Sequence, residues 1–141
     1  MGKRFLSTVL VLIMLLGLAP MSALADDTFR SGDFTFVIET GVACVKKYNG
    51  SSSSVSVPSK VDYDGVTYKV RNIHQDAFKN CTTIQKLVLP ETVNRIGKQA
   101  FANCTSLNSI TINGDLNGVY TVDNTFYNIG ANSDYLNVTF G

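Results

Sequence analysis

The stretch from Leu89 to Ile112, LPETVNRIGKQAFANCTSLNSITI, decides the fold of this chain. It repeats the stretch before it at a shift of 23 residues, which places Ile73 on Ile96. The other coincident positions are Ala77-Phe78 with Ala100-Phe101, Asn80-Cys81-Thr82 with Asn103-Cys104-Thr105, Ile84 with Leu107, Leu87 with Ile110, and Leu89 with Ile112. A third, looser copy runs from Phe126 to Phe140. A repeat of this length indicates units that stack on one another and share a core.

Each copy ends in a triplet whose outer members are apolar: Leu87-Val88-Leu89, Ile110-Thr111-Ile112 and Val138-Thr139-Phe140. This alternation with a period of two predicts short strands with one buried face. The L-x-x-L-x-L spacing within a repeat of 20 to 29 residues is typical of a leucine-rich solenoid. The stretch from Gly97 to Asn103 is predicted to form one or two helical turns that bury Ala100 and Phe101. The predicted fold is therefore mainly β with short helices.

The repeat also resembles a known family. The run Leu89-Pro90-x-x-Val93-x-x-Ile96-Gly97-x-x-Ala100-Phe101-x-x-Cys104-x-x-Leu107-x-x-Ile110 is similar, position for position, to the BspA-type bacterial leucine-rich repeat. The resemblance covers roughly Val55 to Phe140, and the segment from Ser31 to Tyr48 is similar to the one that usually precedes such repeats. It implies a right-handed solenoid of about three turns behind a β-hairpin cap. The family usually has many repeats and often an anchor, whereas this chain has about three repeats and no visible anchor.

Residues 1–25 are predicted to be a signal peptide. Lys3 and Arg4 precede an apolar run from Phe5 to Leu18, and Ala23-Leu24-Ala25 has the small residues of a cleavage site. The apolar run is too short for a membrane-spanning helix. The chain is therefore expected to be cleaved after Ala25, to be secreted or held at the cell surface, and not to insert into a membrane afterwards.

The rest of the chain divides into two predicted parts. Residues 26–54 form a β cap and a linker, because Phe34, Phe36 and Ile38 alternate before a Thr40-Gly41 turn. Residues 55–141 form the solenoid. A β-hairpin is predicted as an insertion at about residues 60–70, where Asp64-Gly65 separates two alternating stretches.

The composition gives little support for chemistry. Without Lys3 and Arg4 the chain keeps 10 basic and 11 acidic residues, so no basic surface for nucleic acid is expected. His74 is the only histidine, and no spacing typical of a metal site or phosphate loop occurs. We therefore predict no catalytic residues, no metal site and no cofactor. Asparagines in Asn-x-Ser/Thr patterns, such as Asn80 and Asn103, are interpreted as turn residues and not as glycosylation sites.

The cysteines leave two alternatives. Equivalent residues of adjacent turns, such as Cys81 and Cys104, are expected about 4.8 Å apart, a distance that a disulfide can span. The family resemblance instead implies that these cysteines are small apolar residues buried in a ladder, and we favour that interpretation. Cys44 is a third thiol, in the cap, without a predicted partner.

The predicted binding surface follows from the alternation that defines the core. If Leu87 and Leu89 point inward, their neighbours and the equivalent residues of the other strands point outward. Tyr63 and Tyr68 of the inserted hairpin are added as candidate aromatic anchors at its edge, the alternative being that both rings pack onto the cap. The outward set consists of Ser54, Ser56, Lys86, Val88, Ser109, Thr111, Asn137 and Thr139.

The family resemblance implies a protein-binding or adhesion module whose partner is an extracellular protein, a host-surface protein or another cell surface. One alternative is a structural remnant of a longer repeat array. A second is an enzyme, which is disfavoured because the chain has one histidine, no tryptophan and no acid–base cluster. The sequence pattern leaves the oligomeric state open.

Overall fold

The computed structural model describes residues 28–114, 120–121, 125–130 and 137–140. The predicted signal peptide, residues 1–25, lies outside them. The described segments are mainly β. Their strands are β1 (Thr28–Ser31), β2 (Phe34–Glu39), β3 (Val42–Tyr48), β4 (Ser54–Ser56), β5 (Lys60–Tyr63), β6 (Val66–Ile73), β7 (Lys86–Leu89), β8 (Arg95–Ile96), β9 (Ser109–Ile112), β10 (Tyr120–Thr121) and β11 (Asn137–Phe140).

The strands form two main sheets. The first sheet has the order β1-β2-β3-β6-β8-β10, with β5 paired to β6, and the second has the order β11-β9-β7-β4. Within the repeats, neighbouring strands are parallel in both sheets. Parallel pairing follows from the repeat, because each passage of the chain adds one strand to each sheet in the same direction.

Antiparallel hairpins account for the non-repeating strands. At the N-terminal end β1, β2 and β3 form an antiparallel ribbon that joins the first sheet through β3. β5 pairs antiparallel with the first half of β6. Both Thr40-Gly41 and Asp64-Gly65 have positive φ at each residue, with values of 48° and 80° and of 52° and 80°. Two consecutive positive φ angles define the tight turn that matches the twist of a hairpin.

The segments that were predicted as short helices are turns, and no helix forms in the part of the chain that the structure describes. Asp76 and Asn80 in the first copy have φ of 58° and 63°, and their equivalents Gln99 and Asn103 have φ of 54° and 59°. A left-handed residue every few positions interrupts the right-handed geometry that a helix requires. The prediction of helices between the strands was therefore wrong.

The core lies between the two sheets and the turns. All seven residues expected to be buried from the repeat register are 4% exposed or less: Phe78, Leu87, Leu89, Ala100, Phe101, Ile110 and Ile112. An aromatic stack runs through the core from Tyr48 to Phe78, Phe101 and Phe126, with ring centroids 5.6, 5.3 and 5.6 Å apart. Phe34 of the cap lies 5.3 Å from Tyr48 and covers the first ring of the stack.

Candidate functional site

The predicted binding residues of the second sheet lie in two straight rows. Strand register pairs Ser54 with Lys86, Lys86 with Ser109, and Ser109 with Asn137. The second row is Ser56, Val88, Thr111 and Thr139. All eight side chains are exposed or half-buried, whereas Leu87 and Ile110 between the rows are 1% exposed. We call these eight residues the serine–threonine face.

The chemistry of the serine–threonine face is that of hydrogen bonding. Five of its side chains carry a hydroxyl and Asn137 an amide, so the rows can both donate and accept. Lys86 is its only charged residue, and Val88 its only apolar one. The spacing between strands is about 4.8 Å, which repeats the same polar groups at regular intervals. Such a face suits an extended polar contact and not a deep pocket for one small molecule.

The two tyrosines do not stand free at the edge of this face. The ring of Tyr63 stacks on Phe29 of β1, with centroids 4.1 Å apart and planes at 17°. Tyr68 is half-buried and packs against the hydrophobic core. The alternative interpretation, in which both rings hold the hairpin in place, therefore describes their positions better than a role as free anchors.

A polar cleft on the first sheet was not predicted from the sequence. It has a volume of about 260 Å³ and lies where β3, β6 and β8 end. Glu39 contributes a negative charge, and Arg95 and Lys98 contribute positive ones. Its lining consists of Glu39, Asn72, Ile73, His74, Gln75, Arg95, Gly97 and Lys98. The shift of 23 residues already places Asn72 on Arg95, so the repeat itself carried a signal for part of this cleft.

The Cys44 thiol belongs to the same region. It donates to Glu39 Oε2 at 3.3 Å and accepts from Asn72 Nδ2 at 3.2 Å. Burial raises its pKa to about 11, an effect that the hydrogen bond from Asn72 and the charge of Arg95 oppose and that Glu39 reinforces. At neutral pH the thiol is protonated and is a poor nucleophile. The cleft therefore offers polar contacts without an activated cysteine.

His74 lies at this cleft, where its backbone N–H donates to the Val45 carbonyl at 2.8 Å. Its Nδ1 lies 3.4 Å from the Gln75 carbonyl oxygen. Neither contact orients the imidazole toward a nucleophile. Among the described residues no group of three or more His, Cys, Asp or Glu side chains could hold a metal ion.

Cys81 and Cys104 are free thiols in equivalent turns. Cys104 is buried, and its Sγ donates to the Phe78 carbonyl at 3.0 Å. Burial raises its pKa to about 12, with Cys81 adding to the increase. Cys81 is only half-buried, which differs from the expected fully buried pair. Burial also raises the pKa of Cys81, and Lys47 lowers it.

Three equivalent asparagines link the turns on the outside of the molecule. Asn103 Nδ2 donates to Asn80 Oδ1 at 2.9 Å, and Asn128 Nδ2 donates to Asn103 Oδ1 at 3.1 Å. All three have positive φ, which asparagine tolerates better than most residues. These residues therefore act as turn residues, and their amides form a ladder between successive repeats.

Comparison with known proteins agrees with this geometry. The sequence profile of the BspA type leucine rich repeat region matches residues 48–138 in six copies, whereas the sequence had suggested about three turns. No curated protein sequence gives a significant match. The parallel strands contributed by each repeat place the molecule among bacterial leucine-rich repeat proteins. The chain belongs to the BspA-type leucine-rich repeat family.

Solved structures of bacterial proteins share this fold. A leucine rich cell surface protein from Faecalibacterium prausnitzii is 28% identical, with a TM-score of 0.58, over 72% of this chain and 25% of that one. A leucine-rich repeat protein from Bacteroides capillosus is 26% identical, with a TM-score of 0.61, over 81% of this chain and 98% of that one. The T. pallidum leucine-rich repeat protein, 24% identical with a TM-score of 0.59, shares the fold. This chain thus spans about a quarter of the F. prausnitzii protein.

No helix in the described segments is long and apolar enough to cross a membrane.

Proposed function

We propose that this protein is exported and acts as a protein-binding module at the cell surface, with the serine–threonine face as its contact surface. The observation that carries the proposal is the alignment of eight outward side chains in two rows over a buried core. We infer further that the two parallel sheets are the sides of a right-handed solenoid of about three turns. The description of the F. prausnitzii protein as a cell surface protein supports the location.

The chemistry of the face favours an extended partner that offers hydrogen-bonding groups. Four parallel strands present hydroxyls and an amide at regular spacing, and Lys86 adds one positive charge near the middle. The face has no aromatic residue, so binding energy is spread over many small contacts and not concentrated in one hot spot. We therefore expect weak binding to an extracellular or host-surface protein, or to another cell surface.

An enzymatic role has less support. The family is defined by a structural repeat, and the Cys44 thiol in the polar cleft is held protonated by burial. The remnant hypothesis is also weaker, because the B. capillosus chain of similar extent was crystallised and 98% of it is covered. We accordingly place the activity in binding.

The test is a pull-down from host-surface and bacterial-surface extracts with the mature protein, followed by binding measurements on variants. Lys86→Ala and Thr111→Lys alter the centre of the serine–threonine face, and Tyr68→Ala alters the hairpin beside it. Thr83→Lys is the matched control, because Thr83 is exposed in a turn away from the face. We expect Thr111→Lys to weaken binding and Thr83→Lys to leave it unchanged. Full binding by the three variants, with an intact fold, would move the site elsewhere.

A further inference from the structure

The last repeat exposes apolar side chains that the earlier repeats bury. In the inward row of the second sheet, Val55, Leu87 and Ile110 are 5%, 1% and 1% exposed, whereas Val138 is 46% exposed. A continuous sheet and core thus end in a row member that lacks the cover its equivalents have. The C-terminal end of the stack is an apolar surface.

The aromatic stack ends in the same way. Phe78 and Phe101 are 0% exposed because each ring lies between two others, whereas Phe126 is 38% exposed. Tyr127 beside it is 60% exposed. Phe126, Tyr127 and Val138 are three of the four large hydrophobic side chains exposed among the described residues. We call these three residues the end surface.

The strand at this end carries none of the usual protections against pairing. β11 has the sequence NVTF, with no charge and no proline, and among the described residues its strand neighbour lies on one side only, at β9. Edge strands in proteins that stay monomeric commonly carry a lysine, a proline or a bulge that prevents association. β1, the edge of the first sheet, does carry Arg30.

The opposite end of the molecule is closed. Phe34 of the cap, 8% exposed, lies over Tyr48 and the start of the aromatic stack. A second copy therefore cannot place its own N-terminal end on the end surface and continue the stack head to tail. The arrangement left is symmetric, with two identical ends facing each other about a two-fold axis.

We propose that the end surface is an interface for a second copy of this chain, with β11 of each copy paired antiparallel about a two-fold axis. The two inward faces then lie on the same side, so Val138 and Phe126 of each copy are covered by their counterparts. No charged residue occurs in the described segments 125–130 and 137–140, so neither copy has to desolvate a charge.

Pairing of this kind extends the surface described under Proposed function. The second sheet grows from four strands to eight, and the serine–threonine face from about 14 Å to about 34 Å across the strands. A weak contact repeated over twice the length gains affinity through multivalency. This consequence rests on the proposed function, whereas the dimer itself does not.

The dimer is tested by sedimentation equilibrium of the mature protein over a concentration series. Four-residue strands bury little area, so we expect dissociation in the range of about 10 to 100 μM. Val138→Lys introduces a charge into the end surface and is expected to weaken association at least about tenfold. Val66→Lys is the matched control, because Val66 is 50% exposed in the inserted hairpin. It should dimerise like the unmodified protein, and thermal melting shows whether both variants fold.

A cross-linking measurement keeps the proposal independent of the folding of Val138→Lys. In a Cys81→Ser background, Thr139→Cys on β11 should give covalent dimers with a short thiol cross-linker. Ser56→Cys, in the opposite edge strand β4, should not. A protein that stays monomeric throughout, equal association of Val138→Lys, or cross-linking through Ser56→Cys would each overturn the proposal.

Discussion

The side-chain amide of Asn103 donates a hydrogen bond of 2.9 Å to Oδ1 of Asn80, which occupies the same position one repeat earlier. Both residues have positive φ, so each meets two demands of its turn at once. The backbone requires a residue that tolerates the left-handed region, and the neighbouring turn requires a donor and an acceptor. Glycine would meet only the first demand and glutamine only the second.

Replacement of Asn103 separates these two demands. Asn103→Gly keeps the turn conformation and removes the ladder hydrogen bonds, so we expect a loss of about 1 kcal/mol. Asn103→Ala also places an ordinary side chain at positive φ and should lose about 2 to 3 kcal/mol. Urea unfolding of both variants measures the difference. A greater loss for glycine than for alanine would contradict the role of the left-handed backbone.

Phe101 should be the most sensitive position of the aromatic stack. Its ring is 0% exposed between Phe78 and Phe126, so Phe101→Ala is expected to destabilise the protein by about 3 to 5 kcal/mol. Phe126→Ala should lose clearly less, because Phe126 is already 38% exposed. Thermal melting provides the comparison. Equal effects of the two substitutions would show that the stack is not organised as described.

Gly97 is expected to tolerate no side chain. A Cβ at this position would lie 2.5 Å from the Gln75 backbone nitrogen and 2.8 Å from the His74 carbonyl carbon. Gly97→Ala therefore forces two adjacent repeats apart and should destabilise the protein by about 1 to 3 kcal/mol. Lys98→Ala, at the exposed neighbouring position, is the control and should stay within about 0.5 kcal/mol. An alanine at 97 without effect would mean that the repeats lie further apart.

Stability should fall at alkaline pH because of the buried thiols. Burial raises the pKa of Cys44 and Cys104 from 9.0 to about 11 and about 12, so folding favours the protonated form. Their contribution is complete below pH 9 and is lost as pH rises through 9 toward 11 and 12. Cys104→Ala should flatten this decline in urea unfolding measured from pH 8 to 10.5. An unchanged slope in that variant would refute the assignment.

Export predicts a defined mature N-terminus. Cleavage after Ala25 gives a secreted chain that begins at Asp26, which intact mass spectrometry of the culture medium detects. Ala25→Arg removes the small residue required at the cleavage site and should leave the precursor uncleaved. Secreted protein that retains residues 1–25 would contradict the prediction.

The repeat made much of the second sheet predictable. Its strands begin and end where the triplets indicated, and the alternation correctly separated Leu87 and Ile110, which are buried, from Lys86 and Thr111. The first sheet gave no such signal. Its strand β8 has two residues, Arg95 and Ile96, and two residues cannot display an alternation.

Other features depended on contacts that sequence patterns do not contain. The turns were predicted as helices because Ala100-Phe101 has the spacing of a buried helical turn, whereas the left-handed φ of Gln99 and Asn103 is a property of the packed backbone. The position of Tyr63 depends on Phe29, a residue far away in the chain. Local patterns therefore identified the inward and outward faces but not which aromatic rings were free.

The asparagine ladder has a consequence for how this chain can change length. Each rung joins residues 23 positions apart in the first two turns, and each turn contacts only its neighbours. A deletion of residues 80–102 would join Lys79 to Asn103 and leave every remaining rung, ring and strand with an equivalent partner. A deletion of one residue fewer would turn the inward side chains of a strand outward. Insertions and deletions in the regular repeats are therefore expected to be tolerated in units of a whole turn, so that genes for such proteins vary in steps of about 23 codons.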